Sequence, residues 1–252
     1  MSEVKIGKSV IGKKHDVKFV AELGVNHLGN FERAIKMIDE AYESGADFLK
    51  FQTYKSELRY DKTKNPLAND FTKKVSEWEF DIKKEEELWN YAKDKGAQVF
   101  TTPYDAESLK FAEKMGSIAY KIAAYEINNH VLIEEICKTN KPIIISRGMC
   151  TLKEMDEVVN IFEKNNCKYI ILHTISSYPL RKIDSNLNMI HTLKNRYNAL
   201  QTLFVNYSKS IEANPNDIDS YLYRGALNKI EGNEFCKDWE VAANLGNKTA
   251  LK

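Results

Sequence analysis

Polar side chains that can carry out chemistry follow six short apolar runs of this sequence, at the point where each run ends. A continuous apolar run is typical of a strand buried on both faces. The candidate residues are Glu22, Asn26, His27, Lys50, Gln52, Thr101, Thr102, Lys121, Glu126, Ser146, Arg147, His173, Ser176, Ser177 and Tyr178. Because an α/β barrel collects its catalytic groups at the carboxyl ends of its strands, the sequence predicts one shared active-site mouth.

Lys50 and Lys121 are the most informative of these residues, because a lysine among apolar neighbours needs an anionic partner to offset its lost hydration. One reading is an internal salt bridge, with Glu22 or Glu126 as the partner. The other is a cradle for a phosphate or carboxylate ligand. Two such lysines, with Ser146, Arg147 and the Thr101-Thr102 pair around one mouth, favour the cradle.

The remaining candidates leave alternatives open. Glu22 either takes part in proton transfer and sugar binding or serves as the charge partner of Lys50. His27 and His173 follow different runs without a further ligand close in sequence, so we expect hydrogen-bonding histidines rather than a metal site. The segment from Ser176 to Tyr178 either clamps a ligand or ends a strand.

The segments between the apolar runs have helical periodicity, so the chain alternates strand and helix as a β/α repeat. Gly45, Gly96 and Gly116 follow predicted helices, where a left-handed cap needs no Cβ. The first residues, up to about Gly12, predict a small hairpin that plugs the bottom of the barrel. The long polar segment between Lys55 and Phe80 is either a surface insertion or a source of substrate contacts.

The strand-helix alternation stops after Tyr197. From Asn198 the pattern predicts helices with short turns, the first over Leu200 to Ala213, and it resembles about one and a half tetratricopeptide repeats. We therefore divide the chain into a barrel-type domain, residues 1–197, and a helical tail, residues 198–252.

Composition excludes several classes of function. The chain has 252 residues with 37 Lys and Arg against 36 Asp and Glu, so no overall field attracts nucleic acid or an anionic membrane. No apolar stretch reaches membrane-spanning length and no signal peptide is visible, so we expect a cytoplasmic protein. The four cysteines form no CxxC pair and are expected to be reduced structural thiols.

Six motifs occur in the order typical of the sialic acid (N-acetylneuraminate) synthase family, which the chain resembles from about Phe19 to Tyr197. They are AELGVNHLG (Ala21 to Gly29), GADFLKFQTYK (Gly45 to Lys55), FTTPYD (Phe100 to Asp105), AYKIAAYEINN (Ala119 to Asn129), KPIIISRGM (Lys141 to Met149) and LHTISSYP (Leu172 to Pro179). The resemblance implies an α/β fold, a partial TIM-type (β/α) barrel with about six parallel strands, to which the all-α tail is added.

For function, the resemblance implies a transferase that condenses phosphoenolpyruvate with N-acetylmannosamine or a related N-acetylated amino sugar, giving a nonulosonic acid and phosphate. The implied site residues fall into three groups. They are Glu22, Lys121 and Glu126 for catalysis; Lys50, Thr102, Lys121, Ser146 and Arg147 for phosphoenolpyruvate; and Gln52, His173, Ser176 and Tyr178 for the second substrate. It also implies a divalent metal, Mn²⁺ or Mg²⁺, and a possible homodimer.

The sequence departs from the family pattern at several positions, and these departures lead to an alternative hypothesis of a non-catalytic protein. Ala124 stands where many members have a phosphate-contacting serine, and Arg147, which replaces a threonine, is a hypothetical substitute for that contact. The metal-binding segments of the family's last two strands are not found in this sequence, so the metal ligands are expected to be absent. The alternative is a barrel truncated after its sixth strand that acts with its tail in binding or assembly without catalysis. A related enzyme that condenses phosphoenolpyruvate with a phosphorylated sugar fits the motifs less well.

Overall fold

A computed structural model describes residues 3–12, 14–60, 63, 67–177, 180, 182–197 and 200–201. Within them, strands and helices alternate as the sequence predicts. The strands are β1 Glu3–Ile6, β2 Ser9–Gly12, β3 Val20–Glu22, β4 Phe48–Thr53, β5 Val99–Pro103, β6 Tyr120–Ile122, β7 Ile143–Arg147, β8 Tyr169–His173 and β9 Leu200–Gln201. The helices are α1 Phe31–Glu43, α2 Ala68–Ser76, α3 Ile82–Asp94, α4 Ala106–Lys114, α5 His130–Lys138, α6 Leu152–Lys164 and α7 Asn188–Arg196.

One parallel sheet contains β3 to β9 in the order of the chain. Each strand pairs with the next one in sequence, which is the neighbour order of a (β/α) barrel. The prediction of a partial barrel is therefore confirmed. All carboxyl ends of these strands lie at one edge of the sheet.

The last strand differs from the sequence-based expectation. Leu200 and Gln201 were predicted to begin a helix, but they pair in parallel with Ile170 and Ile171 of β8, so that part of the prediction is wrong. The helix was predicted from the periodicity of the whole segment, and that periodicity does not determine the conformation of its first two residues. Their conformation is set by pairing with the neighbouring strand. The rest of the predicted tetratricopeptide-like tail, and Cys236 within it, lies outside the described residues.

The two faces of the sheet are covered by different elements. On the inner face, Phe48, Phe100 and Ile144 pack against Val4 and Ile6 of the β1–β2 hairpin. The outer face packs against the helices and forms the larger core. The predicted hairpin plug is thus confirmed, and Gln98 fixes it by accepting a hydrogen bond from the Lys8 amide at 2.6 Å.

Local signals explain where the helices begin and end. Asn30, Asp81 and Thr151 each accept a hydrogen bond from a backbone amide in the first turn of α1, α3 and α6, which is the usual N-cap interaction. Gly45 follows α1 with φ +79°, a left-handed conformation that costs glycine little. Cys137, Cys150 and Cys167 are free thiols, as expected. In the part of the chain that the structure describes, no helix has the length and apolar character to cross a bilayer.

Candidate active site

The first cluster of polar side chains at the carboxyl edge joins β3, β4 and β5. Parallel register places Glu22 opposite Lys50, and the Lys50 ammonium group forms an ion pair with Glu22 Oε2. Lys50 Nζ also donates to Thr102 Oγ1 at 3.2 Å, and Gln52 Nε2 donates to Glu22 Oε1 at 3.3 Å. Lys50 is only 8% exposed, whereas the side chain of Glu22 is 46% exposed. The carboxylate therefore reaches the mouth while the lysine lies below it.

The second cluster joins β6 and β7. Lys121 Nζ donates to Ser146 Oγ at 2.6 Å and to the carbonyl oxygen of Ile122 at 3.2 Å. Ser146 is 5% exposed, so this ammonium group is held against a buried hydroxyl. Lys121 and Lys50 lie close enough for their charges to interact.

Burial lowers the pKa of both lysines, and the charge of Lys50 lowers that of Lys121 further. Loss of hydration, then the charge of Lys50, lowers the pKa of Lys121 to about 7, although Glu22 opposes the shift. The pKa of Lys50 is also lowered by burial, against the opposing effect of its ion pair with Glu22. An added anion would offset both costs, because it stabilises the protonated forms.

Glu126 lies one turn beyond β6, in the short 3₁₀ helix Ala124–Glu126. Its carboxylate is 9% exposed and accepts a hydrogen bond from Asn129 Nδ2 at 2.8 Å. Burial raises the pKa of Glu126, while the hydrogen bond from Asn129 and the charge of Arg59 partly oppose the rise. A carboxyl group of this kind is suited to exchanging protons.

Gly24 lies in close contact with the first cluster. A Cβ on Gly24 would lie 2.7 Å from Gln52 Nε2 and 3.2 Å from Glu22 Oε1. Any larger residue would push Gln52 away from the carboxylate. Close packing at Gly24 therefore allows the polar contacts of the site to form.

Not every predicted residue faces this mouth. Side chains alternate along β7: Ile143 and Ile145 pack on the outer core, and Ile144 packs inside. Ser146 consequently faces the inner side with Lys121, and Arg147 faces the helices. His173, the register partner of Arg147, also lies on the outer side.

Thr101 and His173 are engaged on the outer side. Thr101 shares a hydrogen bond with Thr53 at 2.9 Å, and His173 Nε2 contacts the carbonyl oxygen of Ser185 at 2.9 Å. Since a carbonyl only accepts, Nε2 carries the proton. The structure therefore does not bring Thr101, Arg147 or His173 together with the lysines, and the substrate contacts predicted for Arg147 and His173 stay predictions.

The remaining candidates are placed as follows. His27 stacks on Phe80 with ring centroids 4.4 Å apart, and its Nδ1 accepts a hydrogen bond from the Gly29 amide at 3.1 Å. Burial lowers the pKa of His27, which fits a neutral, hydrogen-bonding histidine as expected. Ser176 is exposed, near Gly148. Tyr178 lies outside the described residues.

Comparison with known proteins identifies the family. The family model described as NeuB family matches residues 37–213. The chain belongs to the NeuB family. The match continues past the domain boundary predicted after Tyr197, and that boundary stays a prediction.

Three relatives illustrate the family relationship. An uncharacterized protein of Methanocaldococcus jannaschii is 37% identical over 206 residues, which are 79% of this chain and 58% of that protein. The N,N'-diacetyllegionaminic acid synthase of Campylobacter jejuni is 36% identical over 190 residues, 71% of this chain and 57% of the synthase. The crystal structure of an N-acetylneuraminic acid (sialic acid) synthetase from Leptospira borgpetersenii, in complex with citrate, is 30% identical with a TM-score of 0.76, covering 99% of this chain and 92% of that one. The NeuB chain described here thus spans a little over half the length of the two curated relatives.

The described part of this NeuB family chain does not fit a metal centre. Among its His, Cys, Asp and Glu side chains, no group of three or more is arranged to hold a metal ion. The divalent metal implied by the family resemblance therefore has no ligand set among these residues.

One residue near the mouth was missed by the sequence analysis. Arg59 follows the 3₁₀ helix Ser56–Leu58 in the long connection after β4, and its Nη2 donates to the Tyr125 hydroxyl at 2.7 Å. The long loop was a signal that this segment contributes to the site. The sequence did not show that Arg59 would reach the residue before Glu126.

Proposed function

We propose that this chain condenses phosphoenolpyruvate with N-acetylmannosamine or a related N-acetylated amino sugar, forming a nonulosonic acid and releasing phosphate. One observation carries the proposal: Lys50 of β4 and Lys121 of β6, whose charges interact across the intervening β5, each donate a hydrogen bond to a buried hydroxyl. Membership of the NeuB family supports it, because relatives include a legionaminic acid synthase.

The charges of the two clusters suit a small, strongly anionic substrate. Only one carboxylate, that of Glu22, forms an ion pair with the lysines among the residues described. Phosphoenolpyruvate carries both a phosphate and a carboxylate group, and each can accept charge-assisted hydrogen bonds. Lys121 and the Ser146 hydroxyl form one donor group, and Lys50 with Thr102 forms the other.

The proposed reaction begins when the enol carbon of phosphoenolpyruvate attacks the aldehyde carbon of the open-chain sugar. A carbon–carbon bond forms, and the aldehyde oxygen takes up a proton. Water then adds to the neighbouring carbon and loses a proton, and the tetrahedral intermediate breaks its carbon–oxygen bond to expel phosphate.

The chain's own residues have distinct roles in this proposal. Glu22, about half-exposed and held by Lys50 and Gln52, is placed to orient a sugar hydroxyl or accept a proton. Glu126, whose pKa is raised by burial, is suited to deliver one. Lys121 would remain protonated beside the phosphate, because the anion opposes the effect of its burial.

The test combines binding and turnover. We expect phosphoenolpyruvate to bind the purified chain and Lys121→Ala to abolish that binding, measured by titration calorimetry. Lys36→Ala, on the exposed face of α1, is the matched control and should bind normally. Release of free phosphate in the presence of N-acetylmannosamine and Mn²⁺ then tests catalysis.

Two outcomes count against the proposal. Unchanged phosphoenolpyruvate binding by folded Lys121→Ala would remove Lys121 from the site. Binding without any phosphate release would favour the non-catalytic role as a binding or assembly protein.

A further inference from the structure

Arg59 is surrounded by tyrosine rings. Its guanidinium carbon lies 4.3 Å from the ring centroid of Tyr104 and 4.8 Å from that of Tyr54, with Tyr60 and Tyr125 at 5.8 and 5.9 Å. Tyr104 and Tyr125 are themselves stacked, with centroids 5.6 Å apart and planes 6° from parallel. We call Arg59 with these four tyrosines the arginine box.

The arginine box belongs to the same edge of the sheet as the lysines. Tyr54 directly follows β4, Tyr104 directly follows β5, and Tyr125 directly precedes Glu126. The charge of Arg59 influences the ionisation of Glu126, and that of Glu22 influences the ionisation of Tyr104. The guanidinium is therefore within electrostatic range of Glu126, and the Tyr104 ring beneath it is within range of Glu22.

Among the described residues, no carboxylate pairs with the guanidinium of Arg59. Among the residues that the structure describes, its polar partner is the neutral Tyr125 hydroxyl rather than a carboxylate, and its Nε is buried without a hydrogen-bond partner. Cation–π contacts hold a guanidinium in place and remove part of its hydration, but they leave its formal charge intact. By contrast, the charge of Lys50 is balanced by Glu22.

This arrangement differs from that of a purely structural arginine. A partly buried guanidinium that only ties a loop in place is usually paired with a carboxylate, because an unpaired charge in a site of low polarity is costly. Lys55, four residues earlier in the same loop, shows that pattern: its ammonium group pairs with Glu79 at 3.3 Å. An anion arriving at Arg59 would supply the charged partner that the described residues do not provide.

We propose that the arginine box is a second anion-binding subsite of the mouth, in which Arg59 binds a carboxylate or phosphate group of a substrate. The proposal rests on the proposed function, since it assigns a further contact to the same site. The anionic group has two sources, namely phosphoenolpyruvate and an acidic substituent on the sugar. Arg59 also takes over the role that sequence reasoning gave to Arg147, which lies on the outer side of the sheet.

The experiment compares anionic with neutral ligands. Calorimetric affinities are measured for phosphoenolpyruvate, N-acetylmannosamine 6-phosphate and neutral N-acetylmannosamine, with wild type, Arg59→Met and Arg59→Gln. Lys74→Met is the matched control, because Lys74 lies over the Trp78 ring at 5.8 Å in the same connection. Thermal unfolding of each variant monitors folding.

We expect either neutral variant to weaken binding of at least one phosphate-bearing probe by about 10- to 100-fold, as for the loss of charge-assisted hydrogen bonds. Affinity for neutral N-acetylmannosamine should change less than about twofold. A structural role alone would affect all ligands alike, so the difference between charged and neutral probes is decisive. Tyr125→Phe, which keeps the ring and removes the hydroxyl that holds Nη2, should give a smaller loss of the same kind.

The pattern of losses identifies the source of the anion. If the Arg59 variants lose affinity only for phosphoenolpyruvate, the subsite binds an anionic group of phosphoenolpyruvate. If they lose affinity only for the sugar phosphate, the subsite binds an acidic substituent of the sugar. Equal affinity of folded Arg59→Gln and wild type for both phosphate probes overturns the proposal, as does absence of all anion binding by wild type. If Arg59→Met does not fold, Arg59→Gln and Tyr125→Phe decide by the same criteria.

The outcomes also separate this proposal from the proposed function. Suppose that phosphoenolpyruvate binding depends on Lys121 but not on Arg59, and that Arg59 variants change the affinities for the two sugars equally. This result would contradict the subsite alone. Suppose instead that the sugar phosphate binds in an Arg59-dependent way and that phosphoenolpyruvate does not bind. This result would contradict the condensation reaction alone.

Discussion

Lys121 Nζ donates a hydrogen bond of 2.6 Å to Ser146 Oγ across the β6–β7 pair. Two residues from separate motifs, 25 positions apart, thereby form one donor group for an anion. Burial, with a further contribution from the nearby charge of Lys50, lowers the pKa of Lys121 to about 7. Several testable consequences depend on this balance of charge and burial.

Phosphoenolpyruvate affinity should depend on pH through Lys121. With a pKa of about 7 in the free protein, Lys121 is charged below this pH and loses its proton above it. Affinity should therefore fall by up to about tenfold per pH unit above about pH 7. Calorimetry between pH 6 and 9 measures the effect. Titration of phosphoenolpyruvate without protein corrects for the ionisation of the ligand itself, and a corrected affinity that stays constant from pH 7 to 9 would contradict the assignment.

Glu22→Gln should destabilise the fold as well as the site. The substitution leaves Lys50, 8% exposed, without its carboxylate partner. Since Glu22 is half-exposed and water can partly replace it, we expect a loss of about 1–3 kcal/mol in the free energy of unfolding. Urea unfolding measures it, and Glu87→Gln on the exposed side of α3 serves as the control. Stability equal to that of the control would show that the ion pair is not formed in solution.

Gly24→Ala should damage binding more than stability. Its Cβ would lie 2.7 Å from Gln52 Nε2, so the amide must move away from Glu22. Gly45→Ala provides the contrast, because φ is +79° there but nothing lies within 4 Å of the added carbon. Both variants should lose about 1 kcal/mol of stability. Only Gly24→Ala should weaken sugar binding, and equal binding by the two proteins would argue against a role for Gln52.

Asp156 should stabilise the attachment of α7 in a pH-dependent way. Its carboxylate accepts two hydrogen bonds from Arg196, at 2.8 and 2.6 Å, and one from the Tyr197 hydroxyl at 2.8 Å. The hydrogen bonds from Arg196 and Tyr197 lower the pKa of Asp156 to about 2, from an ordinary value of 3.8. The stabilisation is therefore complete above pH 3.8 and is lost as the pH falls through about 2.

Thermal unfolding of Asp156→Asn tests this expectation. The variant should have a lower Tm than wild type at pH 7, and the difference should shrink toward pH 2. Glu157→Gln, the adjacent position on α6, is the control and should change Tm little at either pH. A Tm difference that is the same at both pH values would mean that the carboxylate charge is not what stabilises the contact.

Much of the site was predictable because strand ends meet at one edge of a parallel sheet. Glu22, Lys50, Thr102, Lys121 and Ser146 were all identified from their positions after apolar runs, and they form the two described clusters. The hairpin plug was also predictable. Val4 and Ile6 alternate with polar residues, so one face of the hairpin is apolar and must be buried.

The positions of Arg59 and Arg147 relative to the site could not be predicted from the sequence. Arg147 was assigned to the anion as a substitute for the family's phosphate-contacting serine, whose place Ala124 takes. Ser146 faces the inner side, however, and adjacent residues in a strand point to opposite faces. The sequence shows that a strand ends there without showing which of the two faces is the inner one. Arg59 was overlooked because its tyrosine partners come from three separate connections.

The sequence alone determined the order of strands and helices, the family and the residue types gathered at the mouth, because periodicity and motifs are properties of the chain read locally. Tertiary structure decided which of those side chains face one another, which cations are balanced by carboxylates and which remain available. Register, face and burial depend on contacts between distant segments, and those contacts set the charge that a substrate would meet.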